Sequence, residues 1–380
     1  MTTSPDPAVI AALQKQFAWF SGPALQDDPL YQALADCAAR HADWAALLAA
    51  APANQRWPML WLAALQDRVM ALVEDGERPP LAEYYASVGG TRAPDAALEG
   101  LLGDFIGQHR AALEQVIATH STQTNEIGRC AVLWPILQEL VGSAGRRRIA
   151  LLDVGCSAGL NLGVDRWRYR YVDDATGALL SATPDDRDPA APEITCRVLA
   201  GARPSAAAVP EIVSRRGIDL APIAVDDPVA VRWLRACLWP HDAERRRRFD
   251  AAVAIARTQH WPLGATTDAA ASIVDWLRNV PADTLPIVFD SWVLSYFEAD
   301  LLRRHVDTLL AQVAGRGAVW ISADDPKLSR TWWPGKPDVA ADRRANATSW
   351  TVARPDGQGG VAWTLAATSH AHGRWMQWGV

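Results

Sequence analysis

Cysteine is scarce in this chain of 380 residues, and what there is does not pair. The five cysteines, Cys37, Cys130, Cys156, Cys196 and Cys237, are scattered and odd in number. With no Cys-x-x-Cys, they argue against a disulfide framework or a zinc knuckle and for reduced thiols in a cytoplasm. No apolar run is long enough to span a bilayer. The opening residues, MTTSPDPAVI, lack a basic stretch followed by an apolar core, so no signal peptide is expected. Net positive charge is lacking too: the formal charge is -6, which argues against a general nucleic-acid binder. There is no His-Glu-x-x-His, no phosphate loop and no Gly-x-Gly-x-x-Gly. These absences remove the simplest metalloprotease, nucleotide-triphosphatase and dinucleotide-dehydrogenase readings.

What is present is apolar and aromatic. Hydrophobic residues make up 49% and charged residues 21%, enough for a well-buried globular fold, and 380 residues can hold two domains. Most of the 18 tryptophans are expected in packing, a minority in a pocket.

Residues 1–118 read as helix after helix. Asp6-Pro7 and Asp28-Pro29 are cap-plus-first-turn signatures. Val9, Leu13 and Phe17 share a helix face; so do Leu62, Leu65, Val69 and Leu72, and Leu98, Leu101, Leu102, Phe105 and Ile106. A packing domain or a lid is expected here. Residues 119–380 read as an α/β domain. Asn125 is placed to cap a helix carrying Leu133, Ile136, Leu137 and Leu140, and residues 142–148 read as a loop.

The informative stretch is Leu151-Leu152-Asp153-Val154-Gly155-Cys156-Ser157-Ala158-Gly159-Leu160-Asn161-Leu162. An apolar strand runs into a glycine turn, and a helix is expected after it, its free N–H groups facing a nucleoside-like ligand. Gly155 and Gly159 are expected to be glycine because that ligand lies against their backbone. Residues 166–210 break the strand–helix alternation: residues 166–180 read as a hairpin, and Ile194, Cys196 and Val198 as a strand. A second strong element, Leu285 to Phe297, is an apolar strand, a polar turn and a helix. Val361 to Ser369 and Ser349 to Ala353 read as a terminal β hairpin. The arginines 245–248 read as a solvated helix face. His370 and His372 lack a third metal ligand nearby.

The Asp153-to-Gly159 stretch resembles the first motif of class I S-adenosylmethionine-dependent methyltransferases, Asp-x-Gly-x-Gly-x-Gly, with Ser157 at the middle glycine. The whole chain resembles DUF2332, a bacterial family of unknown function assigned to that superfamily by likeness. The resemblance implies a Rossmann-like sheet of seven strands with an antiparallel terminal hairpin. It implies S-adenosyl-L-methionine as cofactor, held by Asp153, Gly155, Cys156, Ser157, Ala158, Gly159, Asn161 and Leu162. It makes Asp219, with Leu220, the acid for the ribose hydroxyls, and Asp268, with Ala269, the acceptor for the adenine amino group. Ser291 and Trp292 become pocket residues and Arg129 a partner for the cofactor carboxylate. The segment Gln123, Asn125, Glu126 and, further on, Tyr296 become acceptor-side candidates. A general base, where one is needed, would come from Glu126, Tyr296 or His260.

The function expected on this basis is methyl transfer to a small molecule. The Asn/Asp-Pro-Pro-aromatic motif of enzymes acting on DNA bases is missing, so nucleic acid is not the expected substrate. The alternative is a non-catalytic relative that uses the fold to bind a cofactor or partner.

Overall fold

The computed structural model describes residues 5–22, 28–145, 147–183, 188–199 and 208–379. Parts of the insertion over 166–210 and of the loop expected over 142–148 lie outside the described residues. The chain forms two compact units, Met1–Thr124 with Asp226–Arg247, and Asn125–Val225 with Arg248–Val380.

The first unit is helical. Its segments α1 (Pro7–Phe20), α2 (Pro29–Arg40), α3 (Ala42–Ala45), α4 (Pro58–Glu74) and α5 (Leu98–Thr119) come in that order. The two Asp-Pro signatures act as expected. Asp6 accepts from Ala8 N and Asp28 from Tyr31 N, each with proline at the first helical position. Leu62, Leu65, Val69 and Leu72 of α4 are all buried. Gln66, on the same helix, has no exposed surface and donates to the carbonyl oxygens of Ala236 at 2.9 Å and Leu238 at 2.6 Å. A buried amide is tolerated because its donors are satisfied.

The second unit is α/β. Helix α6 (Cys130–Ala144) leads into β1 (Arg148–Val154). The linker is shorter than the loop expected over 142–148, because the helix continues to Ala144 and ends on Gly145 in the left-handed region. Proline lies inside α6, at Pro135. It has no N–H for the Ala131 carbonyl one turn back, and the Tyr171 hydroxyl donates to that oxygen instead, at 2.9 Å. The next strands are β2 (Arg168–Asp173), β3 (Leu179–Ala182), β4 (Glu193–Val198) and β5 (Glu211–Asp219). Then α7 (Pro228–Ala236) belongs to the helical unit and α8 (Ala243–Gln259) runs out of it. The chain continues through β6 (Leu263–Ala265), α9 (Ala269–Arg278), β7 (Leu285–Ser291), α10 (Ala299–Arg316) and β8 (Val319–Asp324). It ends with β9 (Ala347–Pro355), β10 (Val361–His370) and β11 (Trp375–Trp378).

Among the described residues, eleven strands join one mostly parallel sheet in the order β3-β2-β4-β11-β10-β9-β8-β7-β1-β5-β6. This corrects the expectation of seven strands. The hairpin and strand expected in the insertion form as β2, β3 and β4 and add to this same sheet, and the C-terminal β11 pairs with both β10 and β4, so it joins them to the rest. The hairpin of β9 and β10 is antiparallel, as expected. Strands β1, β7 and β8 are almost wholly buried, which matches their continuous apolar runs. Leu152, Val288 and Trp320 pack in one core with Ile273 and Leu277 of α9 and Leu309 and Val313 of α10.

Candidate functional site

Five neighbouring parallel strands, β6-β5-β1-β7-β8, reverse their chain order between β1 and β7. In open α/β sheets the crevice at such a reversal, beyond the carboxyl ends of the strands, is where ligands bind. The glycine turn after β1 and the Ser291–Trp292 turn after β7 both lie there. Each carries a non-glycine residue in the left-handed region, Ser157 at φ 51° and Trp292 at φ 54°. Such backbone is held only where the surroundings enforce it, and it concentrates at functional sites.

The helix expected after the glycine turn is absent. A single 3-10 turn, Leu160–Gly163, takes its place before the chain enters β2. The turn's own amides are also engaged. Gly155 N and Cys156 N donate to the Ile218 carbonyl at 2.8 and 3.2 Å, and Gly159 N to Cys156 O at 2.7 Å. Ser157 N donates to Asp219 Oδ2 at 2.8 Å and Ala158 N to Asn125 Oδ1 at 3.2 Å. An anion cradle needs free amides at a helix start, and neither condition holds here.

The glycines answer to protein rather than to open space. A Cβ on Gly155 would stand 2.6 Å from Val293 Cβ, and one on Gly159 would stand 2.7 Å from Leu263 Cδ2. Both residues also have positive φ, at 73° and 68°. Strand packing and backbone conformation therefore require these two glycines. Cys156, Ala158 and Leu162 are buried, with Cys156 Sγ close against Gly217. The Asn161 side chain accepts from Cys130 Sγ at 3.4 Å.

Asp219 stands 62 residues after Ser157, yet β5 pairs with β1 and sets its carboxylate beside the turn. Its other oxygen accepts from Ala221 N at 2.9 Å. Each oxygen keeps a second lone pair. Leu220 projects beside it, 73% exposed. Asp268 lies past the end of β6. It caps α9 by accepting from Ala271 N and pairs with Arg304 at 3.3 Å, with Ala269 following as the first helical residue.

The segment after Thr124 braces this edge. Asn125 does not cap α6: its amide spans to the turn, with Nδ2 donating to Ser157 Oγ at 2.8 Å. No side chain caps α6; Glu126 instead caps the 3-10 turn Ile127–Arg129 just before it, accepting from Gly128 N at 2.9 Å. Arg129 is buried and donates from Nε to Ala371 O at 2.7 Å and from Nη1 to Ser291 Oγ at 3.0 Å and Ser291 O at 3.3 Å. Gly128 lies against the His372 carbonyl, with no room for a side chain. Trp292 is tied to β8 by its N–H on Ala323 O and to β9 by Nε1 on Thr348 Oγ1 at 2.8 Å. Tyr296 is 67% exposed on the turn after β7. His260 is exposed at the end of α8. Gln123 belongs to the helical unit.

Sequence reading missed two acids at this edge, Asp290 and Asp324. Each ends, or nearly ends, a buried apolar strand, and that pattern was the available signal. Asp290 accepts from Trp320 Nε1 at 2.5 Å and Ser322 Oγ at 2.6 Å. Burial pushes its pKa up to about 7, against the pull of those two donors. Burial also raises Asp324 to about 6, opposed by the Asp325 amide and the Arg129 charge. Asp153 is raised well above the usual carboxylate range, first by burial and then by Asp219 and Asp290, while Arg129 opposes the shift. Its Oδ2 is buried without a hydrogen-bond partner. Among the described residues, no group of three or more His, Cys, Asp or Glu side chains is arranged to hold a metal ion.

The residues Gly155-Cys156-Ser157-Ala158-Gly159 also spell Gly-x-Ser-x-Gly, a pattern found where a serine nucleophile sits on a strand-to-helix turn. That chemistry uses the amide after the serine as an oxyanion donor and a helix behind it. Here Ala158 N is taken by Asn125 and only a 3-10 turn comes next. The arrangement does not suit acyl transfer.

Fold and site together define an α/β protein whose glycine turn lies at the strand-order reversal of a mostly parallel sheet. A family model described as "Uncharacterized protein conserved in bacteria (DUF2332)" matches residues 14–378, so the chain belongs to the DUF2332 family. Neither the curated proteins nor the solved structures contain a match to the chain. No helix among the described residues is long and apolar enough to cross a membrane.

Proposed function

We propose that the α/β unit binds S-adenosyl-L-methionine at the β1–β5–β7 edge and transfers its methyl group to a small-molecule acceptor. The observation that carries this reading is the Asp219 carboxylate set against the Ser157 amide at 2.8 Å, at the end of the strand beside the glycine turn. A ribose presents two vicinal hydroxyl donors, and one carboxylate with lone pairs to spare can accept from both. The strand order β6-β5-β1-β7-β8 agrees with a Rossmann-like layout. The closed set of turn amides weighs against a pyrophosphate-bearing dinucleotide. It does not weigh against a nucleoside without phosphate, which needs acceptors rather than amide donors.

The residues fit such a group in part. Asp219 and Leu220 would hold the ribose and flank the base, and the buried Asp153 supplies an unpartnered acceptor near the turn. The cofactor supplies an electrophilic methyl on sulfur; the chain must orient the acceptor and exclude water. Asp268 and Arg129 already have protein partners, so their contacts to a ligand would add to these or exchange with them.

A second reading is a protein that keeps the fold and binds a cofactor or partner without turnover. The glycines favour it, since their Cβ positions face Val293 and Leu263 and their presence does not require a ligand. Calorimetry on the full chain with S-adenosylmethionine, S-adenosylhomocysteine and NAD distinguishes the cofactor classes. Micromolar binding of either methionine nucleoside supports the proposal. Binding of NAD with no response to the nucleosides would sink it. Release of S-adenosylhomocysteine in the presence of candidate acceptors then separates turnover from binding alone.

A further inference from the structure

Ser157 is held from three sides. Its amide donates to Asp219, its hydroxyl accepts from Asn125 Nδ2 at 2.8 Å, and its carbonyl accepts from Ile223 N at 3.0 Å. Two of these partners sit where the chain passes between the units. Asn125 is the first residue of the α/β unit, and Ile223 lies two residues before Val225, where the chain leaves it again. That exit is itself fixed, with Arg257 Nε donating to Val225 O at 2.7 Å. Ser157 is 8% exposed and keeps a positive φ, a conformation that a serine adopts only when its surroundings hold it there. A turn serving only strand packing has no need to meet both passages through one residue.

We infer that Ser157 is a positioning residue that joins both chain passages to the glycine turn, so that a ligand held at the turn orders residues 121–127 and 221–227 together. Asn125 and Ile223 are 98 positions apart in sequence and are bridged by this single residue. The bridge itself is independent of what the site binds; its response to ligand rests on the nucleoside reading above.

Hydrogen–deuterium exchange on the full chain tests both halves. In the free protein, Asn125→Ala perturbs one passage and Ile223 reports on the other. Its amide should exchange about fivefold faster, the loss expected for one neutral hydrogen bond. Amides in the middle of α4 should keep their rates. Ser157→Ala removes only the hydroxyl and should give the same pattern, which covers the case in which Asn125→Ala folds poorly. A purely local role would speed exchange beside residue 125 and leave Ile223 unchanged in both variants, and that result overturns the inference. S-adenosylhomocysteine should slow exchange across 121–127 and 221–227 in the wild type, and this joint protection should be lost in Ser157→Ala. If the nucleoside binds by calorimetry yet protects only 153–162, the ligand half is wrong. If it does not bind, the nucleoside reading falls, and the Ile223 comparison still decides the bridge.

Discussion

Val293 fills the place where Gly155 would carry a side chain: a Cβ there would lie 2.6 Å from Val293 Cβ and meet both its methyl groups. Gly155 also has φ 73°. The effect of a substitution at this position is thereby set by the fold before any ligand enters.

Gly155→Ala should destabilise the α/β unit by about 2–4 kcal/mol, from overpacking and left-handed backbone together. The loss should be the same with and without S-adenosylhomocysteine. Val293→Ala in the same chain should recover the packing part and leave the backbone part, which a double-mutant cycle of urea midpoints would measure. A Gly155→Ala chain as stable as wild type would show that Val293 moves aside freely.

How far the sequence carries can be judged at such positions. The strand of Leu151 to Val154, the turn after it and the apolar strand of Leu285 to Phe289 were legible because a strand buried on both faces leaves a continuous apolar run. The helices were legible where caps and periodicity agree, as at Asp6 and Asp28. What the glycines face was not legible, because the partners Val293 and Leu263 come from remote strands and turns. The same limit hid the role of Asn125. A cap is a local reading, whereas its amide reaches the turn 32 residues on. The pattern of arginines 245–248 suits a solvated helix face, but Arg245 is buried, which tertiary packing alone decides. The missing helix after Gly159 had no local signal, since Leu160 to Leu162 suits a helix as well as a 3-10 turn.

Asp290 should make stability depend on pH. Its carboxyl has no exposed surface and is held up at about 7, against an ordinary 3.8. Between those values the native chain keeps a proton that the unfolded chain has lost. Stability therefore falls as pH rises from about 4 to about 7 and levels off above, by up to something on the order of 4 kcal/mol. Asp290→Asn should flatten most of that decline, because an amide can still accept from Trp320 Nε1 and donate to Ser322 Oγ. Urea unfolding at pH 5, 6, 7 and 8.5 reads the slope directly. An unchanged slope in the variant would place the titration elsewhere, with Asp153 and Asp324 the next groups to replace.

Arg129 should matter to stability and to that pH profile in separable ways. Removing its guanidinium in Arg129→Met leaves the buried Ser291 and Ala371 carbonyls without their donor and should cost about 3–5 kcal/mol. It also removes the charge that pulls Asp153 and Asp324 down, so their protons should persist to higher pH and the decline should extend upward. Arg129→Lys keeps the charge and loses the forked geometry. It should restore the pH profile while recovering only part of the stability. Identical profiles for the two variants would mean that the Arg129 charge does not reach these acids.

Asp219 separates a ligand role from a packing role most cleanly, because its two structural bonds run to backbone amides and its spare lone pairs are what a ribose would use. Asp219→Asn keeps one carbonyl oxygen for the Ser157 or Ala221 amide but sets an NH2 toward the other, so a modest loss of about 1–2 kcal/mol in stability is expected. If the carboxylate accepts from the ribose hydroxyls, the variant should bind S-adenosylhomocysteine at least about tenfold more weakly, the scale of one hydrogen bond to a charged group. The Ala221→Pro variant supplies the comparison: it removes the Ala221 N–H and leaves the carboxylate, so it should perturb the loop while affinity stays closer to wild type. Calorimetry and melting curves on the three chains decide between the roles. Wild-type affinity in Asp219→Asn, together with a lowered melting temperature, would make Asp219 a fastening for the turn and would move the ribose site away from β5.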